Sequence, residues 1–259
     1  MDKLKVALFQ VDIKWEKQNE NLKKYDRLFA QLDAETDLVV LPELFATGFT
    51  MNVINQWEST DGNTVNWLIK KAKANNALIL GSVIIKENNN YFNRLLAVFP
   101  DGDIQYYDKR HLFRMGEEHI HYTTGSKKLF ITYKEWKIFP LICYDLRFPV
   151  WSRNVNNEYD LMVYIANWPE KRREHWLKLL FARAIENQSY VIGVNRIGKD
   201  GRGVGYSGDS IVIDPKGEII SSQLTKKEKI ITAILHKEML IKNRNKFPVY
   251  LDADQFKLI

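Results

Sequence analysis

Apolar residues come along the chain in two ways, as short unbroken runs and as stretches where they recur every three or four positions. Residues 5–11 (Lys-Val-Ala-Leu-Phe-Gln-Val) belong to the first kind and predict a central strand. From about 18 to 32 the pattern changes, and Leu22, Tyr25, Phe29 and Leu32 fall on one helical stripe. Residues 37–41 predict a second buried strand, which delivers Pro42-Glu43 at its end. An amphipathic helix follows over 63–76, with Val65, Leu68, Ile69 and Ala72 inward, and then a third strand over 77–85.

Further on, turn residues join paired runs. Residues 91–99 and 104–107 flank Pro100-Asp101-Gly102-Asp103, and 129–133 and 137–143 flank Lys134-Glu135, so both pairs read as hairpins. Residues 148–155 predict a short helix, 161–166 a strand, 172–188 a long helix and 190–195 another strand. A glycine-rich loop then runs through Gly198, Gly201, Gly203 and Gly205. A third hairpin is predicted around Asp214-Pro215-Lys216-Gly217, with arms 210–213 and 218–221. Residues 230–235 close the sheet system, and a final helix ends before Pro248.

Strands thus occur both in hairpins and alternating with helices, and several are apolar on both faces. This predicts an α/β protein of mixed sheets covered by helices, not a parallel doubly wound sheet. The strand–helix–strand–strand opening is echoed after Cys143, which predicts two similar layers packed face to face. No linker, low-complexity tract or repeat interrupts the succession, so one continuous domain over 1–259 is expected.

Composition narrows the function classes. Hydrophobic content of 45% and charged content of 27% are those of a soluble globular protein. The net charge of +6 is scattered among 32 acidic residues, with no basic block interleaved with aromatics. It reads as a solvated surface, and no nucleic-acid partner is expected. The amino-terminal residues enter a strand directly, so neither a signal peptide nor a membrane span is expected. A single cysteine permits no internal disulfide, which fits a reducing cytoplasm. The five histidines show no paired ligand spacing, so no metal is expected.

The candidate chemistry centres on that cysteine. In Ile-Phe-Pro-Leu-Ile-Cys-Tyr-Asp-Leu-Arg-Phe-Pro an apolar run reaches Cys143 and polarity changes abruptly at Asp145 and Arg147. The pattern predicts a strand ending in a tight turn, where a nucleophile is exposed close to backbone N–H groups. A lone cysteine is otherwise a small core hydrophobe. To act it needs a base, and Glu43, in Leu41-Pro42-Glu43-Leu44-Phe45, ends a buried strand among apolar neighbours. Burial there would raise its pKa towards that of a thiol; the alternative is a surface glutamate. Lys109, in Tyr107-Asp108-Lys109-Arg110-His111-Leu112-Phe113, also follows a strand. It could supply fixed positive charge to an oxyanion, although taken alone it is an ordinary surface lysine.

Together, Leu-Pro-Glu-Leu-Phe, Asp-Lys-Arg-His-Leu-Phe and Cys-Tyr-Asp-Leu-Arg-Phe-Pro, in this order and spacing, resemble the nitrilase superfamily of carbon–nitrogen hydrolases. The resemblance implies an α-β-β-α sandwich, a glutamate–lysine–cysteine triad, no cofactor and a homodimer. It places Glu43 as general base, Lys109 as catalytic lysine and Cys143 as nucleophile. A second glutamate falls on Glu118, with Glu117 as the competing position, and the Tyr144 N–H joins Lys109 in the oxyanion hole. Within the superfamily, Ala166-Asn167-Trp168-Pro169, residues 182–188 and residues 244–256 are similar to the bacterial omega-amidase branch. That likeness implies a small anionic substrate, the terminal amide of a 2-oxo dicarboxylate monoamide such as 2-oxoglutaramate or 2-oxosuccinamate.

An anionic substrate calls for a cation. In Lys171-Arg172-Arg173, just past a strand end, Arg172 is the chosen candidate, because a guanidinium grips a carboxylate with two parallel bonds. The other reading is a solvated basic helix start. Trp168 is placed as a pocket wall, against the alternative of a core aromatic. Arg183 and Glu186, one helical turn apart, read as an internal support pair. An N-carbamoyl amine, an aliphatic amide or a nitrile are rival substrates for the same triad. A scaffold or binding protein with a structural thiol is the non-enzyme rival.

Overall fold

The structure, a computed structural model, describes residues 2–254 and Phe256. Of the carboxy-terminal stretch that carries the branch likeness, Gln255 lies outside the described residues, as do the ends of the expected 1–259 domain.

The first half contains β1 (Lys3–Gln10), α1 (Gln18–Phe29), β2 (Leu38–Val40), α2 (Val53–Gln56), α3 (Asn63–Asn75), β3 (Leu78–Glu87), β4 (Asn90–Val98) and β5 (Ile104–Asp108). Then come α4 (Glu118–His121), β6 (Ile131–Tyr133), β7 (Trp136–Ile142), α5 (Pro149–Ser152), β8 (Leu161–Ala166), α6 (Arg173–Asn187) and β9 (Tyr190–Asn195). The last elements are β10 (Ile197–Lys199), β11 (Gly205–Ser207), β12 (Ile211–Ile213), β13 (Lys229–His236) and α7 (Lys237–Lys246).

One sheet has the order β13-β1-β2-β3-β4-β5 and the other β12-β9-β8-β7-β6. β1, β2 and β3 are parallel, as are β7, β8 and β9, while the remaining pairings in both sheets are antiparallel. The two halves therefore repeat one motif, as the echo in the pattern predicts. Alternation along β1 shows how the layers form. Leu4, Val6 and Leu8 enter the core cluster that also holds the second sheet's residues, while Ala7 and Phe9 meet Leu22, Tyr25 and Phe29 of α1. Strands apolar on both faces are thus covered on both faces. Trp176, Leu180 and Ala184 of α6 close the outer side of the second sheet. The result is the expected α-β-β-α sandwich of two mixed sheets. Among the described residues no helix is long and apolar enough to cross a membrane.

Three expectations are corrected. The glycine-rich loop folds into a two-stranded ribbon, β10 paired with β11, because the Asp200 carboxylate binds the N–H groups of Arg202 and Val204 and shapes the turn. The second arm of the third hairpin is no strand. It keeps one isolated bridge, Ile213 to Ile219, and its residues are largely exposed, so little burial supports a ladder. The helix expected over 148–155 is one turn long. The Asn154 N–H turns away to Asn187 Oδ1 at 2.8 Å, and its amide donates to the Tyr159 carbonyl at 3.0 Å.

Gly193 on β9 shows how closely α6 sits. A methyl group there would lie 2.5 Å from Leu180 Cδ1 and 2.8 Å from Trp176 Cζ2. Gly193→Ala must push the helix outward, costing about 1–3 kcal/mol. At about 2–4 °C per kcal/mol for a chain of this size, the melting temperature followed by circular dichroism should fall measurably. An unchanged melting temperature would contradict this packing.

Candidate active site

The parallel strands of both sheets deliver their carboxyl ends to one place. Glu43 follows β2, Cys143 follows β7, and Asn167 follows β8. The Asn167 N–H donates to Glu43 Oε2 at 2.8 Å, and the Asn167 amide donates to the Glu43 carbonyl oxygen at 2.6 Å. These bonds join the ends of the two sheets.

Lys109 enters from the end of β5, fully buried. Its Nζ donates to Glu43 Oε1 at 2.8 Å and to both carboxylate oxygens of Glu118, at 2.9 and 3.0 Å. Asn93 of β4 donates its amide to Glu43 Oε1 at 2.9 Å and to Glu118 Oε1 at 3.2 Å. The Phe113 N–H donates to Glu118 Oε2 at 2.6 Å. Glu118, not its exposed neighbour Glu117, is the glutamate brought to the lysine. An ammonium has three donors. One serves Glu43 and one is shared by the two oxygens of Glu118, which leaves the third for the cavity.

The turn that carries Cys143 is held under strain. Cys143 has a φ of 45°, a left-handed value costly for a residue with a Cβ, and begins a 3₁₀ turn over Cys143–Arg147. Near the start of that turn the Tyr144 N–H has no carbonyl partner within it and is available to a ligand. Buried Asp145 fixes the geometry. Its Oδ2 accepts the Ile142 N–H at 3.0 Å and the Tyr107 hydroxyl at 2.8 Å. Its Oδ1 accepts the His111 N–H at 3.0 Å and meets His111 Nδ1 at 2.7 Å. Arg183, whose Nη1 pairs with Glu186 at 2.7 Å, extends its Nη2 to the Leu146 carbonyl at 2.7 Å. The expected support pair thus braces the turn from α6.

Electrostatics follow from this burial. Desolvation pushes the Cys143 thiol well above its usual range; Glu43 adds to the shift, and Lys109 opposes it. Burial alone would lower Lys109, but the Glu118 and Glu43 charges outweigh it and hold the ammonium charged. Burial also pushes Glu118 upward against the pull of Lys109. The resting thiol therefore keeps its proton beside a carboxylate able to take it. The thiol, the two carboxyl groups and the ammonium together carry one negative charge before and after that transfer, which only moves it from oxygen to sulfur, so no new charge is created in the dry interior.

Glu43, Lys109, Cys143 and Tyr144 open into a cavity of about 580 Å³ that is also lined by Asn167, Trp168 and Arg172. Trp168 is buried, and its Nε1 donates to the Arg172 carbonyl at 2.8 Å. The Arg172 guanidinium lies 5.3 Å from the Phe113 ring centre. Sequence reasoning missed Asn93, Asn167 and Asp145 as site-building residues. For Asp145 the signal was its place two residues after the cysteine at a strand end, and for Asn93 a lone amide inside an apolar strand.

Comparison with known proteins bears on the whole chain. The carbon–nitrogen hydrolase family profile matches residues 5–244. The chain is 48% identical, over the whole of both proteins, to the omega-amidase YafV of Escherichia coli strain K12. It is 33% identical to the 2-oxoglutaramate amidase of Bacillus subtilis strain 168, over 95% of this chain and 96% of the other. Among solved structures, XC1258 of Xanthomonas campestris, a CN-hydrolase superfamily protein with an arsenic adduct in its active site, superimposes with a TM-score of 0.97. It is 42% identical, with both chains fully covered.

If Glu43 takes the thiol proton, Glu43→Gln should slow iodoacetamide alkylation of Cys143 at pH 7 by about a hundredfold. Burial, the larger cause of the raised thiol pKa, persists in this variant. The thiolate is then a minor form whose fraction grows with pH. The residual rate should therefore climb about tenfold per pH unit to at least pH 9, where an ordinary thiol of pKa about 8.5 levels off. An alkylation rate equal to that of the unaltered protein would exclude Glu43 as the base.

Proposed function

The chain belongs to the carbon–nitrogen hydrolase family of the nitrilase superfamily, and from that premise we propose that it is an omega-amidase. It hydrolyses the terminal amide of small 2-oxo dicarboxylate monoamides, 2-oxoglutaramate and 2-oxosuccinamate, to the 2-oxo acid and ammonia. The observation that carries the reading is the buried Glu43–Lys109–Glu118 cluster beside Cys143, in a cavity with guanidinium groups on its wall. The full-length likeness to an omega-amidase and to a 2-oxoglutaramate amidase supports the choice of substrate.

The reaction is two-step acyl transfer. Glu43 accepts the thiol proton as Cys143 Sγ attacks the amide carbon, and the carbonyl oxygen becomes an oxyanion. The third proton of Lys109 and the Tyr144 N–H receive that charge, in a buried site where fixed donors act strongly. Glu43 returns its proton to the departing nitrogen, ammonia leaves, and a thioester remains. Water then loses a proton to Glu43 and attacks the thioester, and a second oxyanion collapses to free the acid and the thiol. Glu118 and Asn93 hold Lys109 and Glu43 in place throughout. Arg172 receives the substrate carboxylate, and Trp168 walls the pocket.

A reduced thiol suits the cytoplasm, where we place the reaction. A homodimer belongs to the same proposal: Val150, Ile185, Met239 and Phe247 expose half or more of their surface and are candidates for coverage by a second copy.

Ammonia release across 2-oxoglutaramate, 2-oxosuccinamate, glutamine, an N-carbamoyl amine and a nitrile tests the reading. The 2-oxo amides should give the highest kcat/KM, and Cys143→Ala should lose nearly all turnover because every later step needs the thioester. Faster release from the carbamoyl amine, with carbon dioxide, would replace this substrate class with another.

A further inference from the structure

The ladder between β8 and β9 ends at Ala166 and Asn195, the last pair in register. The chain after β8 then leaves the sheet, and the peptide groups of Asn167 and Trp168 need other partners. For Trp168 a single side chain supplies both. Asn195 Oδ1 accepts the Trp168 N–H at 2.8 Å, and the Asn195 amide donates to the Trp168 carbonyl at 3.0 Å. The amide also donates to the Gly208 carbonyl at 3.0 Å. One N–H and two carbonyls fix the amide in one orientation, since a flip would oppose like groups. Asn195 is buried, while the Asn167 and Trp168 it holds line the cavity.

The clasp is itself anchored, and the anchor crosses to the first sheet. Ser210 Oγ accepts the Asn195 N–H at 3.0 Å and donates to the Asn195 carbonyl at 3.2 Å. The Ser210 N–H reaches Oε1 of Gln10, the last residue of β1, at 2.9 Å. Gln10 in turn donates its amide to the Leu224 and Lys227 carbonyls at 2.6 and 2.9 Å. Gln10, Ser210 and Asn195 are all buried, and a buried polar network bonded in this way is rigid.

What this network holds in place is the Asn167 N–H. The Trp168 N–H belongs to the planar peptide group that follows Asn167, so fixing it restricts how Asn167 can rotate. The Asn167 N–H donates to Glu43 Oε2 at 2.8 Å, while Oε1 is taken by Lys109 and Asn93. Burial, and after it Glu43, push the Cys143 thiol up, and the same Asn167 N–H pulls it down. One backbone donor thus serves both the base and the sulfur, which makes Oε2 the Glu43 oxygen turned towards Sγ.

We infer that Asn195 is a positioning residue for the proton transfer from Cys143 to Glu43. By clasping both backbone polar groups of Trp168, it aims the Asn167 N–H at Glu43 Oε2 and Cys143 Sγ. This rests on Glu43 acting as the base and is independent of which amide is hydrolysed.

The test is the pH dependence of Cys143 alkylation by iodoacetamide in Asn195→Ala, with Ser210→Ala as a milder variant should the first not fold. Misdirecting one N–H from a thiolate and its base should slow alkylation at pH 7 by about tenfold in Asn195→Ala, and by less in Ser210→Ala. The deficit should shrink above about pH 9, beyond the ordinary thiol range, where hydroxide makes the thiolate without Glu43. A residue that only stabilises the fold gives the opposite sign, because a loosened interior exposes the buried thiol and speeds its alkylation. A faster rate, an unchanged rate, or a deficit of equal size at every pH, in whichever variant folds, would overturn the inference. If Glu43→Gln reacts as fast as the unaltered protein while Asn195→Ala is slow, the base assignment fails and the role of Asn195 in holding the N–H at the sulfur stands.

Discussion

The structure depends on a buried ammonium held between two carboxylates. Taking Lys109 out of water costs several kcal/mol, and so does each carboxylate that accompanies it. The cluster can exist only because every member is also hydrogen-bonded: Glu43 to the Asn167 N–H, Glu118 to the Phe113 N–H, and both to the Asn93 amide. Those donors come from β4, from the segment after β8 and from the loop before α4. Folding must bring all three together before the charges are tolerable, so the catalytic charge is also a condition on how the two sheets meet. Removing one partner would leave the others charged and unpaired, which typically costs about 3–5 kcal/mol.

The same linkage explains how a strained cysteine is tolerated. A left-handed Cys143 persists only if its surroundings over-determine it, and Asp145 supplies the constraint by binding both the strand before it and the loop after β5. His111, stacked on Phe148 with ring centres 3.7 Å apart, packs this arrangement from the side. The loop that begins at Lys109 therefore does two jobs. It inserts the ammonium, and two residues later it locks the turn that presents the sulfur.

Much of this was legible in the sequence because strand ends are legible. Predicted strands that end just before Glu43, Lys109 and Cys143 marked three positions at the rim of a core, and a rim is where a polar side chain is buried and reachable at once. Apolar character on both strand faces revealed the sandwich, because only a sheet covered twice needs it. What stayed hidden were groups whose role exists only across the fold. Asn93 reads as an interruption of a strand until Glu43 and Glu118 stand beside it, and His175 reads as a surface residue of α6 until Arg147 reaches it. The glycine-rich segment failed for another reason. Its ribbon is decided by the Asp200 carboxylate capping a turn, a local bond that apolar periodicity does not record.

An anionic substrate is ill matched to this centre taken alone, because two carboxylates and one ammonium leave it with an excess of negative charge. The conflict is resolved by position. The acids lie at the closed end, each pinned by protein donors, while the uncommitted guanidiniums stand on the cavity wall. An approaching carboxylate meets the cations first and has no reason to travel further, so the opposite, uncharged amide end is the part presented to the sulfur. Orientation then follows from charge before any shape is tested.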